Sequence, residues 1–371
     1  MDRRTFLALP AAARAASSDT PQYRVVTRYP PSARPGMPGM FPGVVAAVHA
    51  PKSIDPETEK VDIPTVKEMI ARGMCALTGD AKPGAAWRRF FEPADVVGIK
   101  VNCSGAPGAM SMREVVAEIV ANLTEAGVPA GQIYIYERFA GQLKSAAYEP
   151  HVPAGVTVHA VETTRGSRQN YDPNTYVDVN FFGEEDTRSQ MVRLVTERLT
   201  KIINVPNMKD HGAAGVTGCL KNIAYGSYSN VARSHRFEKT HTLSFIGTLA
   251  AAEPLRSKTV LQIMDGLRGV WHGGPFSPNR KFRFYPRQMM IGTDPVAIDR
   301  LLLDVIDGKR KAEGAVSVTH HSMEYVKSGR GYSHNPNEDR FLREPGHIEY
   351  AAKLGLGVYD IGKIQVRRID L

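Results

Sequence analysis

The stretch Asn204-Val205-Pro206-Asn207-Met208-Lys209-Asp210-His211-Gly212-Ala213-Ala214-Gly215-Val216-Thr217-Gly218-Cys219-Leu220-Lys221-Asn222 gathers the densest set of chemistry-bearing side chains in this sequence. A strand pattern runs into a loop that holds Lys209, Asp210 and His211. A glycine-rich turn then places Thr217 where it could cap a helix bearing Lys221 and Asn222. Small residues at Gly215 and Gly218 let backbone N–H groups approach an anion closely, and a helix amino terminus adds partial positive charge. The segment reads as a cradle for a phosphate or carboxylate. Its alternative is a tight turn whose glycines serve positive φ and whose Lys221 is solvated. It is not a nucleotide-hydrolysing loop, because there the lysine directly follows the glycine, and here Cys219 and Leu220 stand between Gly218 and Lys221.

Neutral imidazole is the commonest metal ligand and a ready proton-transfer group, so His211 and His235, which flank this helix, are candidates to face one cavity. No His-x-x-x-His spacing accompanies them, which keeps a surface or hydrogen-bonded core role open, and His241 reads as the start of the next helix. In Asp95 to Asn102, alternation puts Val97, Ile99 and Val101 on one face and Gly98, Lys100 and Asn102 on the other. A lysine inside such a strand needs an anionic partner or a path to water, so Lys100 and Asn102 are either ligand-binding or part of a structural ion pair. Asp265 ends an apolar run and opens a glycine-rich segment, which suits metal, sugar-hydroxyl or general-base work, with His272 as a companion, or a simple turn. Asp294-Pro295 has the pattern of an N-cap followed by proline at the first helical position.

These residues need a scaffold. The 371 residues are 42% hydrophobic, enough to bury a substantial core. From Val44 onward, short β-branched runs alternate with helical patterns, which indicates an α/β fold with a mainly parallel sheet flanked by helices. It forms one domain over 44–371 or two lobes with a boundary near 150–200. Right-handed crossovers would bring the loops after Val101, Val205, Met264 and Ile291 to the carboxyl edge of the sheet, where ligands of open α/β folds sit. Residues 17–43, rich in Pro and Gly, read as a linker or arm that cannot hold a helix or a central strand.

The net charge of +9 is spread along the chain, and basic and aromatic residues form no platform, so nucleic acid is not an expected partner. The 3 cysteines form no Cys-x-x-Cys pair, and no iron–sulfur cluster is expected in this chain. Residues 1–16 pair Arg3 and Arg4 with Phe6, Leu7 and a short apolar run ending in small residues, resembling a twin-arginine export signal. That predicts a periplasmic or extracytoplasmic protein. No other run approaches the roughly 20 apolar residues of a membrane span, so no transmembrane anchor is expected in the mature chain. The twin-arginine route carries folded proteins, many of them already loaded with a cofactor.

Ile99-Lys100-Val101-Asn102, the Asn207 to His211 loop with Gly215-Val216-Thr217-Gly218 and Lys221-Asn222, the Asp265-Gly266 loop and Gly292 to Asp299 together resemble the family called domain of unknown function 362. Its members occur behind twin-arginine leaders or joined to ferredoxin-type domains, which implies a redox partner, although this chain lacks the cysteine-rich extension. More locally, His211 to Lys221 resembles a stretch of nickel-pincer lactate racemases. That resemblance implies His211 as acid/base, Lys221 as tether of the pincer cofactor and His235 as a nickel ligand, with nickel or another metal as cofactor. The expected function is an exported enzyme acting on a small anionic molecule of the hydroxy or oxo acid class, with a metal or organometallic cofactor. The alternative is a non-catalytic ligand- or metal-binding protein, or an accessory of a redox complex.

Overall fold

The computed structural model describes residues 20–235, 240–276, 279–320 and 343–371. The twin-arginine-like segment lies outside them. Strands follow the chain as β1 (Arg24–Val26), β2 (Val44–His49), β3 (Val97–Val101), β4 (Ile133–Phe139), β5 (Thr157–Glu162), β6 (Tyr171–Asp178) and β7 (Arg188–Val192). They continue as β8 (Lys201–Val205), β9 (Asn207–His211), β10 (Gly215–Val216), β11 (Thr259–Val270), β12 (Arg283–Phe284), β13 (Gln288–Gly292) and β14 (Gln365–Asp370).

The main sheet runs in the order β14-β2-β13-β11-β8-β3-β4-β5. Its neighbours are parallel except around β13, which lies antiparallel to both β11 and β2. The fold is α/β with a mostly parallel central sheet flanked by helices. Because β13 is reversed, the turn after Ile291 leaves the sheet at the edge opposite to the ends of β3, β8 and β11, and not beside them as expected. Asp294 there caps the helix Pro295–Ala312 by accepting from the Ala297 N–H, and its other oxygen takes the amides of Gly43 and Val358. One carboxylate thus ties three chain segments together.

Each strand of a parallel sheet is covered on both faces, and β3 is buried at all its positions, from Val97 to Val101. On one face Val97, Ile99 and Val101 pack with Met69 and Ile70 of the helix Ile63–Thr78 and with Val116 and Ile119 of the helix Arg113–Glu125. The first of these helices shows why such segments form: Asp62 caps it through the Thr65 N–H, and Gly79 ends it with φ 82°. Its Val66, Met69, Ile70, Met74 and Leu77 recur at helical spacing, each contributing about 1.5–3 kcal/mol on burial. The other face carries the helices Gly218–Gly226, Thr242–Ala251 and Pro295–Ala312.

The arm is packed. Its β1 is the edge of a small antiparallel sheet with β6 and β7, and Met37 is fully buried, with its amide on the Arg256 carbonyl. An edge position suits a segment too rich in proline for a central strand. No helix among the described residues is long and apolar enough to cross a membrane.

Candidate functional site

Since β3, β4 and β8 are parallel, their carboxyl ends share one edge, and Asn102, Glu137 to Phe139, and the Pro206 link to β9 meet there. A cavity of about 310 Å³ opens at this edge. His211, Lys221 and His235 all line it, together with Lys100, Asn102, Thr217 and Asn222. Asp265, Lys209, Gly215 and Gly218 do not.

Lys209 to His211 form a strand and not the expected loop. β9 pairs with β10, setting His211 opposite Gly215, and its Asn207 and Lys209 pair with β11 across a register shift. The turn between β9 and β10 sends the amides of Ala213 and Ala214 to His211 Nδ1, at 3.1 Å each. A ring nitrogen that accepts two N–H groups carries no proton, so the neutral imidazole holds its hydrogen on Nε2. Burial, with the charge of Lys221 next in weight, pushes the His211 pKa well below the ordinary value. His211 therefore faces the cavity as a neutral hydrogen-bond donor. That departs from the base role implied by the racemase resemblance, because the Nε2 lone pair a base needs is occupied by the proton.

The helix amino terminus does not offer its amides to an outside anion. Asp299, from the helix Pro295–Ala312, accepts from Cys219 N at 2.5 Å and Leu220 N at 2.9 Å. Gly218 has φ 59°, and a Cβ there would collide with the Asp299 carboxylate, so this glycine admits an internal anion. Burial still raises the Asp299 pKa to about 7 against these bonds. Thr217 has helical dihedrals and makes no side-chain cap. Gly215, at φ 74°, serves the hairpin and packs against Pro345. The cradle read from the sequence is thus filled by the protein itself.

Three lysines are buried around the cavity. Lys100 donates to Glu137 at 3.0 Å and to the Val101 carbonyl, and it lies across Gly226, where any Cβ would collide with its chain. The structural ion pair is the outcome for Lys100. Lys209, behind the cavity wall, donates to Asn102 Oδ1 (2.5 Å), Ser104 O (2.7 Å) and Pro275 O (3.1 Å). Asn102 passes the network on: its amide donates to Asn222, Asn222 to Asn204, and Asn204 to Gln262. The polar groups of Asn102 and Asn222 are committed to this chain beneath the cavity. Lys221 differs. It makes no hydrogen bond or ion pair among the described residues, and its Nζ sits 4.7 Å from the Tyr225 ring centroid. Burial, reinforced by the charge of Lys209, lowers its pKa to about 7.

His235 lies 5.2 Å from the His211 ring and 5.4 Å from that of Tyr225, and burial, with Lys221 next, holds its pKa below the ordinary value. Among the described residues no three His, Cys, Asp or Glu side chains converge as a metal-ligand set. The described donors around His235 therefore do not by themselves make up a metal-ligand set. Asp265 is a correction: β11 continues through it to Val270, and its carboxylate accepts from Met112 N at 2.6 Å and Leu267 N at 3.1 Å. His272 packs on Phe282 near Arg310, apart from Asp265. His241 stacks on Phe181 at the start of the helix Thr242–Ala251.

Sequence reasoning missed Glu137, Arg138, Arg165 and Tyr225, all of which line the cavity. Glu137 was detectable as a carboxylate closing the apolar run Ile133-Tyr134-Ile135-Tyr136, next to the strand that buries Lys100. Arg138 is paired with Glu162 at 2.7 Å, and it lies over the Phe139 ring, which Arg165 also approaches.

Residues 97–304 match the family described as Domain of unknown function (DUF362), and since the match spans more than half of the chain, the protein belongs to that family. The matched stretch contains every cavity residue named above. No curated protein matches the chain.

Proposed function

We propose that this family member is an enzyme that binds a small organic acid, of the 2-hydroxy or 2-oxo acid class, in the cavity bounded by His211, Lys221 and His235. The observation that carries this reading is the charge left over in the lining. Lys100 is neutralised by Glu137 and Arg138 by Glu162, while Lys221 and Arg165 have no ion-pair partner among the described residues. A partly desolvated cavity with surplus positive charge favours an anion, and a carboxylate answers that charge. At about 310 Å³ the cavity lies at the small end of ligand sites. Phe139, Tyr225 and Phe276 supply apolar wall for the carbon skeleton.

The chain's own residues then divide the work. Arg165 binds the carboxylate at the rim, the Nε2–H of His211 donates to the hydroxyl or carbonyl oxygen at C2, and Lys221 stands on the cavity wall beside that carbon. Lys221, with a pKa near 7, is the group able to take a proton from the substrate at neutral pH. Export by the twin-arginine route is part of the same proposal and is tested by fractionating cells that express the full chain.

Binding is tested by thermal denaturation with short 2-hydroxy and 2-oxo acids beside their uncharged amides. The acids are expected to raise Tm and the amides are not, and Lys221→Met is expected to lose the response. Catalysis is read as exchange of the acid's carbon-bound hydrogens with deuterated solvent by NMR. Acids that leave Tm unchanged, or amides that act equally well, contradict the reading. Binding without exchange leaves a ligand-binding protein.

A further inference from the structure

We infer that Lys221 is a covalent nucleophile, forming an imine with the carbonyl carbon of a 2-oxo acid. This rests on the acid-binding reading above and adds a bond to it.

The argument starts from how an ammonium is satisfied. A protonated lysine presents three N–H donors, and a buried one without acceptors is costly. Lys209 meets three acceptors, and Lys100 meets a carboxylate and a carbonyl. Lys221 meets none among the described residues and rests against the face of Tyr225, although it is only 8% exposed. That environment favours the uncharged amine, and the neighbouring cations push the same way. An amine with a free lone pair, in a small cavity that selects carboxylates, is the requirement for carbonyl addition.

The second observation is the tautomer of His211. With Nδ1 tied to two backbone amides, Nε2–H is the hydrogen available to the cavity, suited to polarising a carbonyl oxygen. The step balances without an external oxidant or reductant. Nζ adds to the carbonyl carbon as the π pair moves to oxygen, which takes a proton. The nitrogen loses its two hydrogens in all, the C–O bond breaks, and water leaves as C=N forms. The product is the acid joined to the lysine less one water.

The test incubates the full chain with pyruvate and cyanoborohydride, which near neutral pH reduces imines in preference to ketones, and follows intact mass and peptide maps. One adduct per chain is expected, heavier than the protein by the acid minus its carbonyl oxygen and mapped to Lys221. Its rate should rise through pH about 7, as the amine loses its proton. His211→Phe is expected to slow trapping at least about tenfold, and Lys221→Arg to abolish it. Mapping in the wild-type chain keeps the test valid if either variant fails to fold. Adducts scattered over surface lysines, or a chain isolated with Lys221 already carrying another group, overturn the proposal. An acid that raises Tm but leaves no adduct overturns the imine and keeps the acid site, whereas neither Tm shift nor adduct removes both.

Discussion

Lys209 and Lys221 are buried on either side of the same wall, and both have pKa values lowered to about 7 by burial. Their surroundings nevertheless assign them opposite work. Lys209 joins β9 to the loop after β3 and to Pro275, giving each of its three donors an acceptor. Lys221 opens on the cavity with only an aromatic face beside it. A lowered pKa alone does not mark a reactive group. What separates the two is whether the protein has already supplied the partners that the charge requires.

The largest expected effect tests the structural half of that comparison. Lys209→Met leaves Asn102 Oδ1, Ser104 O and Pro275 O without their donor and is expected to cost about 3–5 kcal/mol in urea denaturation. Lys221→Met, measured alongside, is expected to cost less than about 1 kcal/mol, because no bond is lost. Equal losses would erase the distinction. Asp299→Ala comes next: two buried amides, of Cys219 and Leu220, lose their acceptor, for about 2–3 kcal/mol. If acids then bound at the freed helix terminus, the cradle read from the sequence would be recovered in the variant.

Titration sharpens the comparison further. Between pH about 7 and the ordinary lysine value of 10.5, the unfolded chain binds a proton that folded Lys221 has lost, so this group makes stability rise with pH over that window. Below about pH 7 both states hold the proton and the cost of the buried charge is fully present. Lys221→Met removes that cost. The variant should gain about 4 kcal/mol on wild type at pH 6 relative to the difference at pH 10, measured by denaturation at each pH. The smallest effect belongs to Arg165, which is exposed at the rim. Arg165→Ala is expected to weaken acid binding about threefold by calorimetry, a difference that fades as salt is raised.

The alternation of strands and helices was legible because parallel strands buried on both faces leave long apolar runs separated by amphipathic segments. Lys100 was legible as a residue needing a partner, but Glu137 reaches it from an adjacent strand, a proximity that spacing along the chain does not encode. The helix amino terminus misled for a related reason. Its amides are taken by Asp299, 80 residues away from Cys219, and only the folded chain shows that the site is occupied. Asp265 misled because Gly266 and Gly269 look like a turn. In the fold they let β11 continue, since side chains there would strike Met208 and Phe284. His211 and Lys221 were found from residue type, whereas the tautomer of one and the solitude of the other come from hydrogen bonds that composition does not record.

The central claim, that one of two buried lysines is reactive, is tested most directly by quantitative amine labelling of the native chain, read residue by residue by mass spectrometry across pH. Lys221 is predicted to label in the folded state with an apparent pKa near 7, and Lys209 to stay unlabelled until the chain unfolds. Labelling of both at the same rate, or protection of both to the point of unfolding, would contradict the account.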